Sequence, residues 1–230
     1  SDTYHGTKAA SNVVEFMQYS DADALSKALT DGSLDMAAPV SASTATGLNG
    51  KDGLTVKEGA TTDKVLLAYN NGTDSLLSDE QARKAFRYQI DAAGIASAQP
   101  DAAGALGGPI SLLEPGYEDL TGLYPHDENQ AGQMFSYFGA QYLTTVNLVV
   151  PEEYRSLAET IKQQIERQPR PTVNLEVLSD EDYAKRIKDG KWELTVMSMD
   201  GTDDAGIFAD PDSMFHYDHT EAQQIGRASC

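Results

Sequence analysis

The sequence has a single cysteine, Cys230, a single tryptophan, Trp192, and only 17 basic residues against 36 acidic ones. With one cysteine no internal disulfide can form. At a formal net charge of -19, nucleic-acid binding is excluded as a principal role, because phosphate contacts need Lys and Arg. The acidity itself speaks to solubility rather than to fold. No apolar run approaches the ~20 residues needed to span a bilayer, and no signal peptide or lipobox is visible. The C-x-x-C, G-x-S-x-G and P-loop patterns are also missing, so no motif assembles a catalytic group. The chain opens at Ser1-Asp2-Thr3-Tyr4 and stops at Cys230, which leads us to expect a fragment of a longer protein.

What is present is ordinary globular material. Apolar residues make up 40% of 230, enough for one sizeable core or two small ones. The most informative stretch runs from Leu66 to Ile95. Leu66–Tyr69 is an apolar strand that stops at the turn formers Asn70, Asn71 and Gly72. Ser78 and Gln81 are spaced as a capping box, and Ala82, Ala85, Phe86 and Ile90 make the apolar stripe of the helix that follows.

Upstream, the β-rich Val13–Tyr19, a short helix near Asp21–Thr30 with Gly32 as its left-handed stop, and a return strand at Leu34–Met36 predict a small right-handed βαβ unit. Residues 39–53, rich in Ser, Thr, Ala and Gly, read as a loop, and Leu54–Glu58 as another strand. Downstream of the central helix, Ala96–Asp127 is a long connection whose PGYEDL segment predicts a packed loop. Asp127 and Gln130 predict a second capped helix, with Ala131, Met134, Phe135 and Phe138 inward and Gly139 at its end. The last third alternates: strand Tyr142–Val150, a helix opened by Pro151, strand Val173–Val177, a helix capped by Ser179, and strand Trp192–Met199. That rhythm implies an α/β layered sheet.

The order of apolar strand, Asn, loop, Asp, Arg, Ala-Phe, Tyr and Ile-Asp resembles the family 5 solute-binding proteins of ABC importers. It is carried here by Tyr69-Asn70, Asp79, Arg83, Ala85-Phe86-Arg87-Tyr88 and Ile90-Asp91. Tyr4–Ala9 (YHGTKA) and the Asp31-Gly32-Ser33-Leu34-Asp35 turn match in the same order. The resemblance implies the mixed-sheet lobes of a type II periplasmic-binding-protein-like fold, incomplete here. Residues 1–63 would be the remnant of the first lobe and residues 64–230 the bulk of the second. It implies a monomeric, non-enzymatic, cofactor-free receptor that holds an oligopeptide-like solute between two lobes and delivers it to a membrane permease. Such a receptor is extracellular or periplasmic, anchored through a lipidated N-terminus that this chain lacks.

The resemblance also implies where the solute sits. After the strand ending at Met199 the family carries an aromatic residue, an acid that holds the peptide's α-amino group, and a later Asp-Pro. Asp210-Pro211 matches the last of these; Met199 stands where tryptophan is usual, and the acid falls among Asp200, Asp203 and Asp204. Ligands of open α/β sheets gather outside the carboxyl ends of strands, which suits this loop. Tyr69 and Asn70 are the other candidate ligand-binding residues, although an Asn there also suits a turn cap.

The rival reading is a metal-dependent hydrolase or metal-binding protein built on the Asp/His-rich loop 200–219. His216 and His219, with Asp212 and Asp218, offer donors, but the two histidines lack a recognisable second half of a site. Asp200-Gly201-Thr202 resembles the D-x-D-G-T of haloacid-dehalogenase phosphatases, yet Ser198 occupies the nucleophile's place, so no aspartyl-phosphate can form.

Overall fold

The computed structural model describes residue 11 and residues 13–137, 142–201 and 204–218. The chain forms two compact units, Ser1–Glu58 and Gly59–Cys230.

In the first unit, α1 (Ala22–Asp31) is capped by Asp21, whose carboxylate accepts from the Ala24 N–H at 2.8 Å, and closed by Gly32 at φ 77°. A second helix, α2 (Ala42–Leu48), occupies the stretch expected to be a loop. Ser41 starts it by accepting the Thr44 N–H at 3.2 Å. Its small Ala, Ser and Thr side chains carry almost no periodic apolar signal, which is why it reads as a linker. The predicted strands at Val13–Tyr19, Leu34–Met36 and Leu54–Glu58 are irregular instead, and Phe16 is 97% exposed. The βαβ unit is therefore not formed among the described residues. A β-rich run expresses fit to a pleated, half-buried surface, and without a strand beside it the preference has nothing to act on.

Among the described residues the second unit carries a four-stranded sheet. Its elements are β1 (Asp63–Tyr69), α3 (Glu80–Gln89), α4 (Ala92–Ser97), α5 (Glu128–Tyr137), β2 (Thr145–Pro151), α6 (Arg155–Ile165), β3 (Thr172–Leu178), α7 (Asp180–Lys188), β4 (Leu194–Asp200) and α8 (Asp204–Ala209). The strand order is β1-β4-β2-β3. Strand β2 is parallel to both β3 and β4, whereas β1 runs antiparallel to β4. The α/β class and the mixed sheet are as expected. The long connection between β1 and β2, which carries three helices, gave no hint that the first strand is reversed.

Both faces of the sheet are covered, so its central strand is apolar on both sides. Val146, Leu148 and Val150 of β2 join Phe86 of α3, Phe135 of α5 and Ile161 and Ile165 of α6 in one core. Phe86 and Phe135 meet edge to face at 5.2 Å between ring centres. Full burial of such a ring stabilises by about 1.5–3 kcal/mol. Val149 points the other way, into a cluster with Ala68, Trp192 and Phe215 against which Tyr183 and Ile187 of α7 pack.

Local signals shift by a residue or two. Helix α3 is capped by Asp79, which accepts the Gln81 N–H at 2.6 Å, while the Ser78 hydroxyl donates back to the Ser75 carbonyl. Asp127 caps α5 as expected, accepting from Asn129 and Gln130 at 2.9 Å each. Phe138 and Gly139 lie outside the described residues. Pro151 ends β2 instead of opening a helix; a single 3-10 turn, Glu152–Tyr154, leads into α6. Ser179 caps α7, accepting the Asp182 N–H at 3.2 Å.

Candidate functional site

The sheet has one end where parallel β2, β3 and β4 all finish, at Pro151, Leu178 and Asp200, and where antiparallel β1 begins. The β1–β4 register runs from Asp63 opposite Asp200 to Tyr69 opposite Leu194. At the usual antiparallel rise of ~3.4 Å per residue, the two ends are about 20 Å apart. Met199 and Asp200 therefore stand together at the carboxyl end, and Tyr69 and Asn70 stand at the other. The sheet thus divides the described members of the six-residue candidate set (Tyr69, Asn70, Met199, Asp200, Asp203 and Asp204) into two places.

At the carboxyl end, Asp200 is exposed and faces the equally exposed Asp63. Met199 is half-buried and, like Met197, Met214 and Phe208, packs against the cluster of Ala68, Val149, Trp192 and Phe215. Asp203 lies outside the described residues, and Asp204 begins α8, a helix within the stretch expected to be loop. Asp210 turns its carboxylate onto the Asp212 N–H at 2.9 Å, and Phe208 and Phe215 stack at 4.8 Å.

Beneath this end lies a buried polar knot. Lys64 Nζ meets Glu114 Oε2 at 2.5 Å, the two side chains being 1% and 6% exposed. The same oxygen accepts the Ser111 N–H at 2.6 Å. Burial alone would raise the Glu114 pKa, but the hydrogen bonds from Lys64 and Ser111 outweigh it and hold the carboxyl below its ordinary value. Gly201 sits directly against this pair: a Cβ there would lie 2.6 Å from the Glu114 carboxyl carbon. Its N–H donates to the Thr62 carbonyl at 3.3 Å. The knot ties the long connection, through Glu114, to the start of β1 and the exit of β4. Sequence reasoning did not identify it. The one available signal was a lysine inside the apolar run DKVLLAY, where a buried charge demands a partner.

At the opposite end, Asn70 is buried and its amide is committed to the fold. Nδ2 donates to the carbonyls of Gly190 at 3.2 Å and Trp192 at 2.9 Å, and Oδ1 accepts the Gly72 N–H at 3.0 Å. Tyr69 is half-buried beside Phe86, ring centres 6.3 Å apart. Burial pushes its phenol up to about 12, against the pull of Arg87 and Arg83. Half-buried Glu193 is also raised, by burial first, although it accepts the Asn147 N–H.

His216 adopts φ 51° next to Gly72, and His219 lies outside the described residues. Among the described residues no three His, Cys, Asp or Glu side chains are grouped so as to hold a metal ion, and no helix is long and apolar enough to cross a membrane.

The architecture is shared with solved binding proteins. The oligopeptide-binding protein AppA from Bacillus subtilis, solved with a nonapeptide, superposes with a TM-score of 0.66 at 16% identity over 91% of this chain and 46% of its own. NikA from Brucella suis, solved with Fe(III)-EDTA, gives 0.71 at 14% identity over 99% and 55%. NikA from Staphylococcus aureus, solved with Ni(L-His)2, gives 0.66 at 17% identity over 90% and 47%. The chain thus spans about half the length of these proteins. None of the curated proteins matches it in sequence. The family model for the middle part of the bacterial extracellular solute-binding proteins, family 5, matches residues 1–222. The chain belongs to that family, whose members are transport binding proteins of ABC importers and not enzymes.

Proposed function

We propose that the chain is the middle part of an importer's substrate-binding component, which takes a peptide-like solute between its two lobes and hands it to a membrane permease. In this reading residues 1–63 contribute to one lobe and residues 64–230 form the bulk of the other. The receptor acts as a monomer outside the cell or in the periplasm, tethered by a lipidated N-terminus. The observation that carries the reading is the position of Asp200: an exposed carboxylate at the joint carboxyl end of three parallel strands, the place where open α/β sheets collect ligands.

A carboxylate there suits a peptide's α-ammonium, since charge-assisted hydrogen bonds are about twice as strong as neutral ones. Asp203 and Asp204, which follow Asp200 closely in the sequence, are the alternative partners of that ammonium, and half-buried Met199 supplies apolar contact. Closure of two lobes over the solute would then signal occupancy to the permease.

Calorimetric titration of this chain and of the complete receptor with one peptide pool tests the proposal. The complete receptor is expected to bind in the micromolar range and this chain about a thousandfold more weakly, because it supplies mainly one wall. A complete receptor that ignores every peptide but takes up a chelated metal would overturn the peptide reading. Equal affinity of chain and receptor would overturn the two-walled site.

A further inference from the structure

The second unit holds a cavity that the proposed solute site does not use. It lies between α3 and the long connection, has a volume of about 290 Å³, and is lined in part by Tyr69, at the end of β1 away from Asp200. Its floor is one face of α3, where Arg83, Lys84 and Arg87 follow each other at helical spacing. In a protein with 36 acids and 17 bases, three cations on a single cavity wall stand out against the general charge.

One acid, Glu80, shares this wall and offsets one of its three cations. Lys84 has an i, i+4 partner in Glu80 at 2.6 Å, but neither guanidinium pairs with a carboxylate among the described residues. Arg83 Nη1 donates to the carbonyls of Leu77 and Ser78, both at 2.8 Å, and Arg87 Nη2 donates to the Gly107 carbonyl at 2.7 Å. These bonds fix the two side chains in place and leave further N–H donors on each planar fork. The Arg87 guanidinium also lies over the Tyr124 ring at 5.3 Å, and that of Arg83 over Tyr217 at 5.9 Å. Tyr69 closes the cavity's inner side, and its phenol, held protonated far above neutral pH, is one more donor. Leu123 and Pro109 supply an apolar rim.

We infer that this cavity is a second binding site, for a small carboxylate- or phosphate-bearing anion. The volume is at the lower end of small-molecule pockets, ~300–1,000 Å³, and so limits the ligand to a few heavy atoms around its charged group. Fixed guanidinium forks match carboxylate and phosphate oxygens two at a time, which gives selectivity over chloride. The inference does not depend on the nature of the transported solute.

Titration of the 230-residue chain at low ionic strength with inorganic phosphate and, separately, with citrate tests it, with chloride at matched ionic strength as control. Saturable binding of at least one anion, complete below about 10 mM, is expected. Lys84→Gln and Arg87→Lys should each weaken it about tenfold or more while melting like the parent. Arg87→Lys retains a donor for the Gly107 carbonyl but loses the planar fork. Asp200→Asn should leave anion binding unchanged. Backbone amide shifts at Gly107, Gly108 and Leu123 on titration give a readout that needs no variant. Absence of saturation by both anions, binding equal to that of chloride, binding indifferent to Lys84→Gln and Arg87→Lys, or shifts confined to the Asp200 end would each overturn the assignment.

Discussion

Lys64 of the first strand and Glu114 of the long connection form an ion pair at 2.5 Å with almost no water on either side chain. A pair of this kind is asymmetric: replacing both partners with apolar residues of similar shape is often neutral, whereas removing one leaves a buried charge unmet. Glu114→Gln is expected to destabilise by about 3–5 kcal/mol in urea unfolding, and Lys64→Met with Glu114→Leu to regain most of that loss. The pH dependence follows from the depressed Glu114 pKa. Its contribution is fully present above the ordinary value of 4.5 and is lost as pH falls through the folded value. The parent should therefore lose stability below about pH 4.5 more steeply than the double variant.

Gly201 tests the same knot from outside. Gly201→Ala puts a methyl carbon where the Glu114 carboxylate lies, at 2.6–2.8 Å from its atoms, so the carboxylate must yield its place beside Lys64. A loss of about 1–3 kcal/mol is expected. In a Glu114→Ala background the same substitution should be close to neutral, and a double-mutant cycle measures the coupling. Additive effects in that cycle would separate Gly201 from the ion pair.

Asn70 and Asp200, both singled out in the sequence as ligand residues, should respond in opposite ways. Asn70→Ala removes three hydrogen bonds inside the protein and leaves the carbonyls of Gly190 and Trp192 unserved. It should lower stability by about 2–3 kcal/mol, going by the cost of unmet buried polar groups. Asp200→Asn should leave thermal unfolding unchanged and weaken peptide binding by the complete receptor about tenfold or more, as expected for losing a charged hydrogen bond.

Glu193 gives a prediction with the other sign. Burial raises its pKa, so the ionised form is strained at neutral pH and stability is gained as pH falls through the folded value. Glu193→Gln keeps an oxygen for the Asn147 N–H and removes the charge. It should melt higher than the parent at pH 7 and lose that advantage as pH falls through the parent's raised folded value toward the ordinary 4.5. A lower melting temperature at pH 7 would rule this out.

Much of the second unit was legible because its elements keep their periods: Leu157, Ala158, Ile161 and Ile165 at helical spacing, Val173, Leu175 and Val177 in alternation, and polar caps at Asp127 and Ser179. What failed was long-range. Val13–Tyr19 has a strand's composition but no neighbour to pair with among the described residues, and α2 has a helix's cap but a linker's side chains. The candidate site divided for the same reason. The residues themselves were visible, but nothing local reveals that β1 runs against β4, which sets Tyr69 opposite Leu194 and Asp63 opposite Asp200. Lys64 and Glu114, likewise, share no local pattern.

The reversed first strand also fixes an order of events during synthesis. Strands β2 and β3, joined through a single helix, can pair soon after both have been made, since loop closure between near neighbours is fast. Among the described residues strand β1 pairs with β4 alone, and its first residue, 63, must wait for residue 200. Until residue 200 has been made, β1 is thus an unpaired edge with Val65, Leu66 and Leu67 uncovered, the kind of surface that chaperones shield and that aggregates when they do not.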